Sequence, residues 1–199
     1  MKALGKLEQG SLEWHRARSG MVCGSQIHRI MTARPSSLEK LREEIRRYRK
    51  FAADGNVDRL PWQGTKATRW GNQHEPQARA TAEIELGLDF EETGHLIHDD
   101  HFYVGASPDG LCRPASAGLE LKCPYIPDNH MKMAPRIPKP YRWQCHAGLW
   151  VSGLDMWWFG SFDPRKVGTD SAIFLHRIER NDRMIAKMEE RIPEFWASI

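Results

Sequence analysis

Two carboxylates and an amine stand close together in the middle of this chain. Asp109 lies at a Pro-Asp-Gly break, and Glu120 follows eleven residues later in the run Gly118-Leu-Glu-Leu-Lys-Cys-Pro124. The spacing predicts two strands joined by a loop, a hairpin that would bring both carboxylates to one end. Glu120 and Lys122 are one residue apart in the second strand, so their side chains leave the same face. Paired carboxylates can hold a hard divalent cation through oxygen. Such an ion polarises a phosphodiester and acidifies a bound water, while a neighbouring lysine orients or deprotonates that water or offsets charge on phosphorus.

Two further polar residues could join them. Glu75 precedes Pro76, which either sits inside the helix at the cost of a hydrogen bond or marks its true first turn; in the second case Glu75 sits at a helix N-terminus, where backbone N–H groups favour an anion. Gln144, in Tyr141-Arg-Trp-Gln-Cys-His, would lie on a helix packed over the sheet and could bind a water or a phosphate oxygen. A rival site is His95, His98 and His101 with Asp99 and Asp100, a possible zinc cluster. Histidines at that spacing do not share a face in a strand, however, and the Asp-Asp pair reads as a turn.

These side chains need elements to carry them. Ser25 to Met31 reads as a short helix. Ser36 as N-cap with Glu39 three residues on predicts the next, whose Leu38, Leu41, Ile45 and Tyr48 keep helical spacing, with Arg42, Arg46, Arg47, Arg49 and Lys50 largely on the other face. Asp54-Gly55-Asn56 ends it, and residues 55–68 read as loop. Residues 69–87 predict a longer helix closed by Gly87. Strands are expected at 95–98, 101–106, 111–113, 119–123, 155–162 and 173–178, with a proline-rich stretch over 124–140. A helix is expected over 141–151, and a last one is capped by Asn181 with the stripe Ile185, Met188 and Ile192 facing the core. The order argues for an α/β (α+β) mixed sheet flanked by helices, in one domain over residues 1–199.

Composition narrows the classes. The 199 residues are 40% hydrophobic and 28% charged, with 8 Trp and 7 Phe, which excludes a disordered or fibrous chain. No apolar run reaches membrane-spanning length, and nothing at the N-terminus reads as a secretory signal, so a cytoplasmic protein with no membrane partner is expected. The four cysteines, in no CxxC pair, are expected as free thiols. A net charge of +3 permits a nucleic-acid partner without arguing for one.

The blocks EQGSLEWHRARSGMVCGSQI, RWGNQHEPQAR, GASPDGLC, GLELKCPY, YRWQCHAGLWVSG and WWFGSFDPR, in this order, resemble the lambda-type phage exonucleases, YqaJ-like viral recombinases of the PD-(D/E)XK nuclease superfamily. The resemblance implies a restriction-endonuclease-like core and an alkaline, Mg2+-dependent 5′→3′ exonuclease, with Mn2+ as a substitute. The enzyme would degrade one strand of linear double-stranded DNA from its ends, leaving a 3′ overhang for phage recombination by single-strand annealing in the cytoplasm of a bacterial host. It assigns Asp109, Glu120 and the Leu121 carbonyl to the metal, Lys122 as the catalytic lysine, and Glu75 and Gln144 as helix-borne site residues. Arg18, Ser25 and Ser107 would hold the terminal 5′-phosphate. A ring-shaped homotrimer and a partner annealing protein are implied as well. The chain departs from the family at His146, where a second glutamine is usual, and at Thr68, where the strand-separating residue is apolar. Its linker between Lys122 and Tyr141 is also shorter. An endonuclease of the same fold, or a DNA-binding accessory module that does not cut, are the alternatives.

Overall fold

The structure, a computed structural model, describes residues 2–3, 7–55 and 64–199. Its strands are β1 (Lys2–Ala3), β2 (Val22–Cys23), β3 (Leu96–Ile97), β4 (Val104–Ala106), β5 (Gly110–Cys112), β6 (Ala117–Lys122), β7 (Met156–Phe162) and β8 (Ile173–Glu179). The helices are α1 (Leu12–Arg18), α2 (Gly24–Thr32), α3 (Pro35–Ala53), α4 (Lys66–Leu86), α5 (Pro127–Met131), α6 (Lys139–Ser152) and α7 (Asp182–Ala197). The strands form two mixed sheets flanked by helices, in the orders β1-β3-β4-β2 and β5-β6-β7-β8.

Alternation along β6 sorts the second sheet into two faces. Leu119 and Leu121 pack with Ala78 and Ala82 of α4. On the other face, Glu120 pairs in register with Phe159 and Lys122 with Ser161 of the parallel strand β7. There Trp157 and Phe159 join Cys145, Ala147 and Leu149 of α6 and Ile27 and Ile30 of α2 in the larger core. Trp157 fits because Gly118 and Gly148 leave room; a Cβ on either would lie 2.3 Å and 2.5 Å from its ring. The carboxylate of Glu120 is thus carried, with Lys122 and Ser161, onto the face that packs on the larger core.

Several boundaries differ from the sequence-based expectation. Helix α3 starts at Pro35 with Arg34 as N-cap, since proline is preorganised for the first turn. Glu39 does not complete a capping box at Ser36; it binds Arg42 and Arg46 at 2.9 Å and 3.1 Å. Helix α4 starts at Lys66, because the Thr65 hydroxyl accepts from Thr68 N at 3.2 Å, so the expected loop is shorter than 55–68; its residues 56–63 lie outside the described residues. Of the two readings of Pro76 the structure has the first: the proline falls inside the helix, and Glu75 is its tenth residue rather than an N-terminal one. The proline denies an N–H only to the Asn72 carbonyl, a cost that a 21-residue helix absorbs. The proline-rich stretch contains α5. Asn181 caps α7, accepting from Met184 N at 3.1 Å, and Ile185, Met188 and Ile192 are buried as expected. Among the described residues no helix is long and apolar enough to cross a membrane.

Candidate active site

The β5–β6 hairpin brings the two carboxylates together. Asp109 N–H donates to Leu119 O at 3.0 Å, and Leu121 N–H donates to Asp109 Oδ2 at 2.5 Å, so the Asp109 side chain reaches back along β6. Arg79, on α4, donates to the Asp109 carbonyl at 2.9 Å and to Glu92 at 3.0 Å. Gln9 donates to the Pro108 carbonyl at 2.8 Å. The turn that presents Asp109 is therefore held from both sides. Glu120 Oε1 receives the Lys122 ammonium and the Gln144 amide, the latter at 2.6 Å. The Lys122 ammonium also lies 5.3 Å from the Tyr141 ring centroid.

Burial and mutual repulsion set the electrostatics. Asp109 and Glu120 are 7% and 3% exposed. Burial, then the charges of Glu120 and Glu75, push the Asp109 carboxyl well above the usual carboxylate range, against the pull of Lys122 and the Leu121 N–H. Burial also raises Glu75, with Glu120 adding to it and Lys122 opposing. Burial disfavours the Lys122 ammonium, but Glu120 and Asp109 beside it outweigh that and raise its pKa. Glu75 thus belongs electrostatically to the cluster from a position inside its helix.

Asp109, Glu120, Lys122 and Gln144 line a cavity of about 170 Å3, and Arg18, Ser25 and Ser107 line the same cavity. Glu75 opens instead into a cleft of about 600 Å3 that shares Lys122 and includes Thr68 and Tyr125. Lys122 stands between the two. Arg18 and Trp14 come from α1 four residues apart, and the guanidinium stacks 4.0 Å from the Trp14 ring centroid. His146 belongs to neither cavity; its Nδ1–H donates to the Arg142 carbonyl at 2.8 Å.

The donor set suits a hard cation. Both carboxylates engage neighbours through one oxygen each. Two buried carboxyl groups and the half-buried Glu75 share one ammonium, an imbalance that a divalent cation would relieve. The Cys123 thiol, pushed up to about 12 first by burial, packs with Leu119 and Leu121 on the opposite face of β6. Among the described residues no group of three His, Cys, Asp or Glu side chains makes a metal cage. The fold separates His95 from the other two histidines, whose ring centroids stay 4.9 Å apart. His95 turns to Ser107, whereas His98 and His101 pack against Trp150, with ring centroids 4.7 Å and 5.4 Å away.

Gln9, Trp14 and Arg79 fall within the blocks that carry the resemblance, which gives them no role at the site, and His95 reads from the sequence only as a zinc ligand. Each acts through a contact distant in sequence, with a backbone carbonyl or with Ser107, which neither periodicity nor motif spacing reports.

The chain is similar to known nucleases over almost its whole length. The crystal structure of the alkaline exonuclease LHK-Exo from Laribacter hongkongensis matches with 30% identity and a TM-score of 0.82, covering 94% of this chain and 92% of that one. The same relative in complex with dAMP matches with a TM-score of 0.83. A phage-related exonuclease from Haemophilus somnus shares the fold at 16% identity, with a TM-score of 0.69 over 89% of this chain and 94% of its own. A stretch of 61 residues is 34% identical to the uncharacterized protein ExoD of Escherichia coli K12; it covers 30% of this chain and 66% of that relative, just under two thirds of its length. Residues 13–155 match the YqaJ-like viral recombinase domain, and the chain belongs to that family of alkaline-exonuclease-like nucleases.

Proposed function

We propose that this chain is one nuclease domain that degrades one strand of linear double-stranded DNA from the 5′ end with Mg2+, or Mn2+ in its place, leaving a 3′ overhang. The observation that carries the reading is a single cavity lined both by Asp109, Glu120, Lys122 and Gln144 and by Arg18, Ser25 and Ser107. One group cuts and the other holds an end, and their closeness leaves room for little chain between the held phosphate and the cut one. Binding of dAMP by LHK-Exo agrees with a site that handles a deoxynucleoside monophosphate.

Asp109, Glu120 and the Leu121 carbonyl would hold the cation, which supplies Lewis acidity at the scissile phosphate and acidifies a water. Gln144 fixes Glu120 in the orientation this requires. Lys122 offers an ammonium that offsets charge building on phosphorus, and Glu75 faces the same lysine from the adjoining cleft. Arg18 grips the terminal phosphate through its planar guanidinium, held in place by stacking on Trp14. Ser25 lies in the first turn of α2, where free N–H groups favour an anion. A homotrimeric ring around the duplex would let a chain of charge +3 stay on DNA without strong phosphate affinity. A particle of three times the 23.0 kDa chain mass in sedimentation would bear this out. An annealing protein would take up the strand left behind.

A time course on linear duplex labelled at the 5′ or the 3′ termini, with and without Mg2+, tests the reading. Early release of the 5′ label, retention of the 3′ label, no reaction in chelator and intact closed circles are expected. Cut circles would favour the endonuclease alternative. Asp109→Ala should abolish cleavage and spare DNA binding, and unchanged cleavage would overturn the site. Arg18→Ala should slow digestion of 5′-phosphorylated ends about 10- to 100-fold more than of 5′-hydroxyl ends, the range of a charge-assisted hydrogen-bond pair.

A further inference from the structure

Ser107 sits in the end-holding half of the cavity with two buried partners on its hydroxyl. The Trp14 indole N–H donates to Ser107 Oγ at 3.0 Å, and the His95 Nδ1 lies 2.9 Å from the same oxygen. Indole is only a donor, so one lone pair of Oγ is taken. What remains depends on His95. If its proton is on Nε2, Ser107 must turn its own proton inward to Nδ1. Ser107 then shows the cavity a lone pair, which repels a phosphate. If the proton is on Nδ1, both lone pairs are filled and the hydroxyl proton is left to point outward.

The surroundings of the far nitrogen choose between these. His95 is 1% exposed, and Nε2 is buried with no hydrogen-bond partner. It faces Gly105, where a Cβ would lie only 2.2 Å from Nε2. A proton on Nε2 would therefore be a buried N–H without an acceptor, the kind of orphan folded proteins avoid most strongly. Burial, and secondarily the Arg18 charge, push the pKa of His95 down to about 4, so the ring is neutral and carries a single N–H.

We propose that His95 is a positioning residue: with its proton on Nδ1, it and Trp14 fill both lone pairs of Ser107 and make the serine an obligate hydrogen-bond donor to the terminal 5′-phosphate. This rests on the reading of Ser107 as part of the phosphate-holding group. It adds that Ser107 alone does not suffice: a serine free to rotate would present either polarity, whereas this one presents only a proton, which suits a ligand that offers only acceptors.

The test is the ratio of digestion rates on 5′-phosphorylated and 5′-hydroxyl linear duplex, measured for four proteins. Ser107→Ala should lower the ratio about tenfold, and His95→Leu, which leaves the serine free to turn, should lower it comparably. His95→Asn, whose amide N–H can stand near the Nδ1 position, should stay close to the unaltered protein. If Ser107→Ala leaves the ratio unchanged, the assignment of Ser107 to the phosphate fails. If Ser107→Ala lowers it and His95→Leu does not, that assignment survives and the role of His95 is overturned. Should His95→Leu fail to fold, long-range 1H–15N correlation of the histidine rings in the unaltered protein decides the matter. A proton on Nδ1 of His95 is expected, and a proton on Nε2 overturns the proposal.

Discussion

Two buried histidines in this protein each meet a serine hydroxyl at 2.9 Å, His95 at Ser107 and His130 at Ser161, and the bonds run in opposite directions. His130, on α5, has its Nε2 2.8 Å from the Ser171 carbonyl. A carbonyl only accepts, so that nitrogen carries the proton and Nδ1 accepts from Ser161. His95 has glycine backbone where His130 has a carbonyl, and its proton goes to the other nitrogen. The length of a histidine–serine contact therefore says nothing about which partner donates; the group behind the ring decides it. His130 also stacks on Phe174, with centroids 4.5 Å apart, and both it and Ser161 are fully buried. One pair ties α5 to the sheet, and the other presents a proton to a cavity. Asp163 does not turn the inner pair into a hydrolytic triad, because it is tied to Arg165 at 2.6 Å and the Ser161 hydroxyl cannot be reached from solvent.

The contrast can be broken most forcefully at the inner pair. His130→Ala should cost about 4 kcal/mol of stability, combining an unfilled space in the core with a carbonyl and a hydroxyl left without partners. The 5′-phosphate to 5′-hydroxyl rate ratio of the folded fraction should not change. Urea denaturation checks the first statement and the end-labelled digestion the second. At the outer pair the larger thermodynamic effect is acid sensitivity. His95 is held neutral in the fold down to about pH 4 while the unfolded chain protonates near pH 6.5. The folded state thus binds fewer protons across that window. The contribution is complete above about pH 6.5 and is lost as pH falls to about 4, amounting to about 3 kcal/mol. His95→Asn, which cannot titrate, should show a correspondingly flatter fall in melting temperature over that range. Parallel curves would mean that the ring is charged or solvated in the fold.

How legible these features were in the sequence follows from the range of the interactions. Periodicity and caps gave α7 with Asn181 and its stripe, and alternation placed Glu120 and Lys122 on one face of β6, as observed. Helix α4 starts three residues before the expected 69 because residues 66–68 carry no apolar period; the Thr65 cap, a weaker signal on paper, won. The Asp109–Glu120 meeting was readable because a short loop makes it local. The approach of α1 and α2 to the same cavity was not, since nothing local ties Arg18 or Ser25 to residue 107; only the resemblance to a family placed them there. Gln9 reaches Pro108 across 99 positions and His95 reaches Ser107 across a turn whose histidines suggested zinc instead. Side-chain bonds of this kind leave no trace in composition or period.

The smallest effect gives the finest discrimination. Ser161→Ala removes only the proton that His130 Nδ1 accepts. It opens little space, because the serine side chain is small, and the His130–Ser171 bond remains to keep the ring in place. The expected cost is about 1 kcal/mol, the net worth of one buried neutral hydrogen bond, read as a shift of the urea midpoint with an unchanged slope. The preference for phosphorylated ends should not move, since the Ser161 proton already points inward. Ser107→Ala should differ on both counts: a larger stability cost, because the Trp14 and His95 N–H groups lose their shared acceptor, together with the loss of end preference. If the two alanine variants shifted stability and end preference alike, the opposite polarities assigned to the two pairs would be wrong. The far nitrogen of each ring would then not be what sets the direction of the bond.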